Sequence, residues 1–156
     1  MTSSTQQQAN DAISPVEGRL SILIDRSGQA KNRVTIHSSR PLKASHLFIG
    51  KTPEQALLAM PLLYGVCSTA QCRAAVGCLQ RALKFPENPQ IETARDMLVL
   101  VETAREHLLR LFIDWPRLLD LPAETAALPA IGRLLDNCKQ ALFIQGEAFN
   151  LNSILQ

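Results

Sequence analysis

Aromatic side chains are scarce in this chain, at 4%, and its 16 basic residues are almost matched by 14 acidic ones scattered among them. A nucleic-acid surface needs clustered cations and stacking rings, so that class of partner is excluded. No apolar run approaches the roughly 20 residues that span a bilayer, because Arg, Glu, Asp or Pro interrupts every candidate. The start of the chain lacks the basic and apolar stretches of a secretory signal. A soluble, cytoplasmic protein without membrane insertion is expected, and its four cysteines read as reduced thiols, not as a disulfide framework. There is no catalytic triad, phosphate loop or zinc motif.

What is present suffices for a folded unit. Apolar residues reach 46% of 156, enough for one domain with a sizeable core. Residues 1–14 are polar, with a Gln6, Gln7, Gln8 run, and read as a disordered leader. Residues 15–156 then form a single domain, or the N-terminal segment of a longer protein.

Leu20, Ile22 and Ile24 alternate with Ser21, Leu23 and Asp25, and Val34 and Ile36 alternate with Thr35 and His37, the period of two β-strands. The polar, glycine-containing stretch between them makes a hairpin. A first helix follows, capped by Thr52 with Pro53 at its first position and Gln55 as the capping-box partner, and Pro61 is expected to stop it. A second runs from about Cys67 to Leu83, closed by Pro86 and Pro89. The third, around Ala94 to Trp115, carries Ala94, Met97, Leu98, Val101, Ala104, Leu108, Leu111, Phe112 and Trp115 on its apolar stripe, with the face of Met97, Val101, Leu108 and Phe112 expected to be buried. Arg95, Asp96, Glu102, Glu106 and Arg110 lie mostly opposite, Glu106 and Arg110 pair, and Pro116 ends the helix. A fourth helical region spans roughly Ala123 to Gln145, with Ile131, Leu135, Cys138 and Leu142 on one face. The expected fold class is mainly α, a short N-terminal β-hairpin followed by a helical bundle.

Tyr64-Gly65-Val66-Cys67-Ser68-Thr69-Ala70-Gln71 resembles the Arg-x-Cys-Gly-x-Cys-x-x-x-His segment of the nickel-iron hydrogenase large subunit, with half of its ligands replaced. Leu62 stands at the Arg position, Tyr64 at the first Cys and Gln71 at the His, while Gly65 and Cys67 are kept. Pro15-Val16-Glu17-Gly18-Arg19-Leu20 is similar to that family's opening Arg-Ile-Glu-Gly-His-Leu. Gly50-Lys51-Thr52-Pro53 through Ala56 matches its approach to the first cysteine pair. Pro86-Glu87-Asn88, and Arg105 to Phe112 ending in Asp114-Trp115, resemble its next two landmarks. The resemblance covers about residues 15 to 115.

In that family four cysteines bind nickel and iron. Cys67 matches a cysteine that bridges the two metals, Tyr64 replaces a nickel-only ligand, and the family's C-terminal Cys-x-x-Cys has no counterpart here. The pattern resembles the HupK/HoxV type of hydrogenase expression and formation protein, a large-subunit-like accessory factor. The resemblance implies a non-catalytic scaffold that transiently holds an iron-cyanide-carbonyl unit, without nickel. Its implied partners are hydrogenase maturation proteins and the hydrogenase large subunit precursor. Cys67 is the candidate metal ligand, placed at a helix N-terminus where unpaired N–H groups and the helix dipole favour a thiolate. Gln71, one turn on, is placed to donate to a bound cyanide, and Glu17 matches a family carboxylate beside the metal. Cys72, Cys78 and Cys138 read as packing residues, and His107 as a solvated or core-satisfied histidine. Two alternatives stay open, a degenerate hydrogenase-like redox subunit or fragment and a metal-free helical interaction module.

Overall fold

The computed structural model describes residues 18–27, 33–39 and 44–156. The chain divides into two compact units, Met1–Ile49 and Gly50–Gln156. In the first, β1 (Leu20–Ile24) pairs antiparallel with β2 (Val34–Ser38), Ile22 facing Ile36 in register. The strands expected from the alternation are therefore present, but Leu20, Ile22, Ile24, Val34 and Ile36 are all exposed. At the turn end, hydrogen bonds from the Ser27 side chain and from the Ser27 N–H, the latter at 2.7 Å, hold the Asp25 carboxyl below its usual pKa. A 3-10 turn, Ala44–Phe48, follows.

The second unit is helical. Helix α1 (Pro53–Leu63) opens with the capping box as expected, Thr52 Oγ1 accepting the Gln55 N–H and Gln55 Oε1 accepting the Thr52 N–H. Pro61 does not stop it. That residue sits within the last turn, where a missing N–H removes one bond while the Tyr64 N–H still reaches the Met60 carbonyl. Helix α2 (Ser68–Leu83) matches its expected span, but it is closed ahead of the prolines, by Lys84 in the left-handed region (φ 56°) with the Phe85 N–H on the Gln80 carbonyl.

Helix α3 (Pro89–Leu109) passes into a π-helical turn, Arg110–Asp114, and then a short α4 (Trp115–Leu118). Pro116 thus does not end the helical path. Its ring cannot sit against the carbonyl one regular turn back, and the wider π turn before it relieves that clash. The expected Glu106–Arg110 pair is absent: Glu106 takes the guanidinium of Arg105, and Arg110 reaches forward to Asp114. The fourth helical region is shorter than expected, α5 (Leu128–Leu142), with Ile131 and Leu135 buried.

Helix α3 packs on α2 and α5, and α1 packs on α2. The core joins Ala94, Leu98, Leu135, Phe143 and Ala148, the last two from a C-terminal segment that folds back through a bridge between Phe143 and Leu155. Complete burial of a side chain such as Leu98 contributes about 2 kcal/mol. The buried face of α3 matches the expected stripe only in part. Ala94 and Leu98 are buried and Val101 packs against the core, but Met97 is 49% exposed, and Arg95 and Glu102, expected on the opposite side, are buried. At about 100° per residue, the true core face lies roughly a quarter turn from the one read off the apolar pattern.

Candidate functional site

Cys67 is the N-cap of α2 and its thiol is exposed. Gln71 lies one turn further on, so its side-chain amide comes within 4.0 Å of Cys67 Sγ while its backbone N–H donates to the Cys67 carbonyl at 3.1 Å. The two residues singled out from the sequence are brought together. Tyr64, at the C-cap of α1, is half-buried in the link between the helices. Glu17 lies outside the described residues.

The donors at the start of α2 are not free, contrary to what the sequence suggests. Glu102 reaches across from α3, Oε1 accepting the Thr69 N–H at 2.7 Å and Oε2 the Ala70 N–H at 3.1 Å. A carboxylate spread over two N–H groups satisfies two of the helix's orphan donors and complements its dipole, each charge-assisted bond contributing about 1.5–3 kcal/mol. Glu102 is only 4% exposed, so this is a buried cap. Cys67 therefore stands next to helix donors that are already in use.

Beside this start lies a cavity of about 390 Å³. Leu57, Leu58 and Pro61 of α1 give it an apolar wall, continued by Ala148 and Phe149 of the C-terminal segment. Its polar edge is formed by Glu54, Lys139, Glu147 and Asn150, and Ser68, Thr69 and Cys72 of α2 complete the lining. Cys67 is not among the lining residues; the next two are. Thr69 is 1% exposed, and its Oγ1 has no hydrogen-bond partner among the described residues. An unpaired buried hydroxyl costs about 1–3 kcal/mol. Burial pushes the Cys72 thiol up in pKa, an effect Lys139 opposes and Glu102 reinforces.

The cavity's C-terminal wall is tied to α3 by Arg95, which is 1% exposed. Its Nε donates to the Ala148 carbonyl at 2.8 Å, and Nη2 to the Asn150 carbonyl at 2.6 Å and to Ser153 Oγ at 3.2 Å. The remaining nitrogen meets Glu92 at 2.6 Å and Gln80 at 3.3 Å. Burial lowers the guanidinium's pKa, against the attraction of Glu92. Arg73 extends the network from α2, joining Glu92 at 2.8 Å and Asp96 at 2.6 Å, and its pKa is raised chiefly by the Asp96 bond.

Sequence reasoning missed Arg95, Glu102 and the orphaned Thr69. Seven residues separate Arg95 and Glu102, so both flank Leu98 on one side of the helix, a spacing that was legible. Apart from Glu92 and Gln80, their partners lie 32 to 58 residues away and were not. Among the other cysteines, Cys72 is buried and Cys138 packs against the core as expected, whereas Cys78 is exposed. His107 is exposed. The described residues contain no cluster of three or more His, Cys, Asp or Glu able to hold a metal ion. What the site offers toward a metal is one accessible thiol with an amide beside it. No helix among the described residues is long and apolar enough to cross a membrane.

The chain is 38% identical over 108 residues to the hydrogenase expression/formation protein HupV of Azotobacter chroococcum mcd 1, covering 69% of this chain and 31% of that protein. It is 36% identical over 125 residues to the hydrogenase expression/formation protein HupK of Azotobacter vinelandii, covering 80% and 34% respectively. With HupK of Rhodobacter capsulatus the figures are 33% over 102 residues, 65% and 31%. The matched span is thus about a third of the length of these curated relatives. No protein-family model matches the chain, and no solved structure does.

Proposed function

We propose that this chain, which belongs, over the third of their length that it spans, to the HupK-type hydrogenase expression/formation proteins, acts as a non-catalytic scaffold in hydrogenase maturation. Its cargo in this reading is an iron-cyanide-carbonyl unit, held in transit by Cys67 and passed toward the large subunit precursor in the cytoplasm by way of other maturation proteins. The observation that carries the proposal is the exposed Cys67 thiol at the start of α2 with the Gln71 amide 4.0 Å away.

A thiolate suits soft, carbonyl-bearing iron, and a single one suits transfer. Two thiolates in one turn close a chelate that releases metal slowly, whereas one makes a bond that an incoming ligand can replace. With Tyr64 at the other cysteine position, this chain presents the single-thiol form. The Gln71 side chain has an N–H₂ to give to the nitrogen end of a bound cyanide, fixing its orientation without adding a metal bond. Nickel has no role in this reading.

Infrared spectroscopy of the chain purified from cells making hydrogenase tests the proposal. Cyanide and carbonyl stretches are expected, lost in Cys67→Ser and kept in Cys138→Ser, because an alcohol is a poor ligand for such iron. Equal bands in both variants, or nickel together with hydrogen turnover in the unmodified chain, would overturn it. The absence of any bands in the unmodified chain would favour a metal-free interaction module instead.

A further inference from the structure

We infer that the cavity beside the start of α2 is a peptide-docking pocket, which takes one apolar side chain of a partner polypeptide and a backbone carbonyl from the same segment. Its volume of about 390 Å³ falls in the range of small-ligand sites, and its wall of Leu57, Leu58, Pro61 and Phe149 suits a branched aliphatic group. The second observation is Thr69, a lining residue that is 1% exposed and whose hydroxyl has no partner among the described residues. A buried hydroxyl left unpaired in the free protein is satisfied once an acceptor arrives.

The charges decide which acceptor. A free carboxylate entering here meets Glu54 and Glu147, two charges of its own sign against the one cation Lys139, and a free ammonium, though drawn by those acids, brings no acceptor for the Thr69 hydroxyl. Lys139 has its nearest acid, Asp136, only at 3.9 Å, so its ammonium is not neutralised at close range. A peptide backbone carries donors and acceptors without net charge. It finds partners of both kinds on such a rim and is repelled by neither. The inference rests on the reading that this chain acts on another polypeptide, but it does not need the iron unit.

Titration of the ¹⁵N-labelled full chain with N-acetyl-leucine N-methylamide tests it, followed at the backbone amides of Thr69, Ala148 and Asn150. Saturable shifts are expected, with N-acetyl-alanine N-methylamide at least tenfold weaker for its lost apolar contact and octanoate weaker still. Thr69→Val keeps the shape and removes the hydroxyl. It should weaken the leucine probe about tenfold while raising the unfolding midpoint, and Thr69→Ser should bind like the unmodified chain. Equal affinity in Thr69→Val, tighter binding of octanoate, or no saturable shift with the leucine probe would each overturn the inference. A failed titration leaves the infrared result standing, and absent iron bands leave the titration standing, so the two proposals fail separately.

Discussion

Helices α1 and α2 start within one bundle and are capped in opposite ways. At α1 the cap is local, Thr52 and Gln55 exchanging bonds across three residues at an exposed position. At α2 the nearest side chains do not cap at all, and a buried carboxylate from 33 residues away takes the donors instead. A local cap stabilises one helix wherever that helix goes. A remote cap fixes one helix against another, and here it sets the first turn of α2, which carries Cys67 and borders the cavity, against α3.

The sharpest way to break this contrast is to remove the remote cap. Glu102→Ala strands two N–H groups inside the protein and should cost about 3 kcal/mol by urea denaturation. Thr52→Ala, at the exposed local cap, should cost about 1 kcal/mol in the same measurement. A loss at Thr52 equal to that at Glu102 would erase the distinction. Combined, the two should add to within about 0.5 kcal/mol, since they share no partner; strong coupling would mean that the start of α1 also depends on Glu102.

Cys67→Ser, at the cap position that neither helix uses, should shift stability by no more than about 0.5 kcal/mol. A larger loss would make that thiol a packing residue. Cys72, whose thiol is raised in pKa by burial, should give the smallest effect, and only in alkali. A group held protonated in the folded state contributes stability that is present below its unfolded pKa and lost as the pH rises past it. Between unmodified chain and Cys72→Ala, the difference in unfolding midpoint should therefore shrink as pH climbs beyond the ordinary thiol range. A difference that grows instead would reverse the assignment.

The same contrast explains what could be read beforehand. The Thr52 cap, the alternating strands and the span of α2 rest on spacings of two to four residues, and all appear in the structure. The orientation of α3 does so only in part, with Ala94 and Leu98 buried but Met97 exposed, because charged residues were assigned to water. Arg95 and Glu102 are buried instead, each saturated by partners that only the folded chain assembles. The prolines misled for a related reason. Pro61 and Pro116 were read as stops, but a last turn and a π turn each accommodate the missing donor. At the candidate site, the Cys67 and Gln71 juxtaposition followed from helical spacing, while the cavity required α1, α5 and the C-terminal segment to meet beside α2.

The Arg95 clamp also bears on the order in which the unit can be built. Its acceptors in Ala148, Asn150 and Ser153, and the Phe143 ring that closes over the core, all follow α5 in the chain. Until residues 143–156 emerge, α3 has a cation without most of its carbonyl partners and an apolar face without its cover. The helices can form early, but they lock only once this segment has been made, as a single cooperative step.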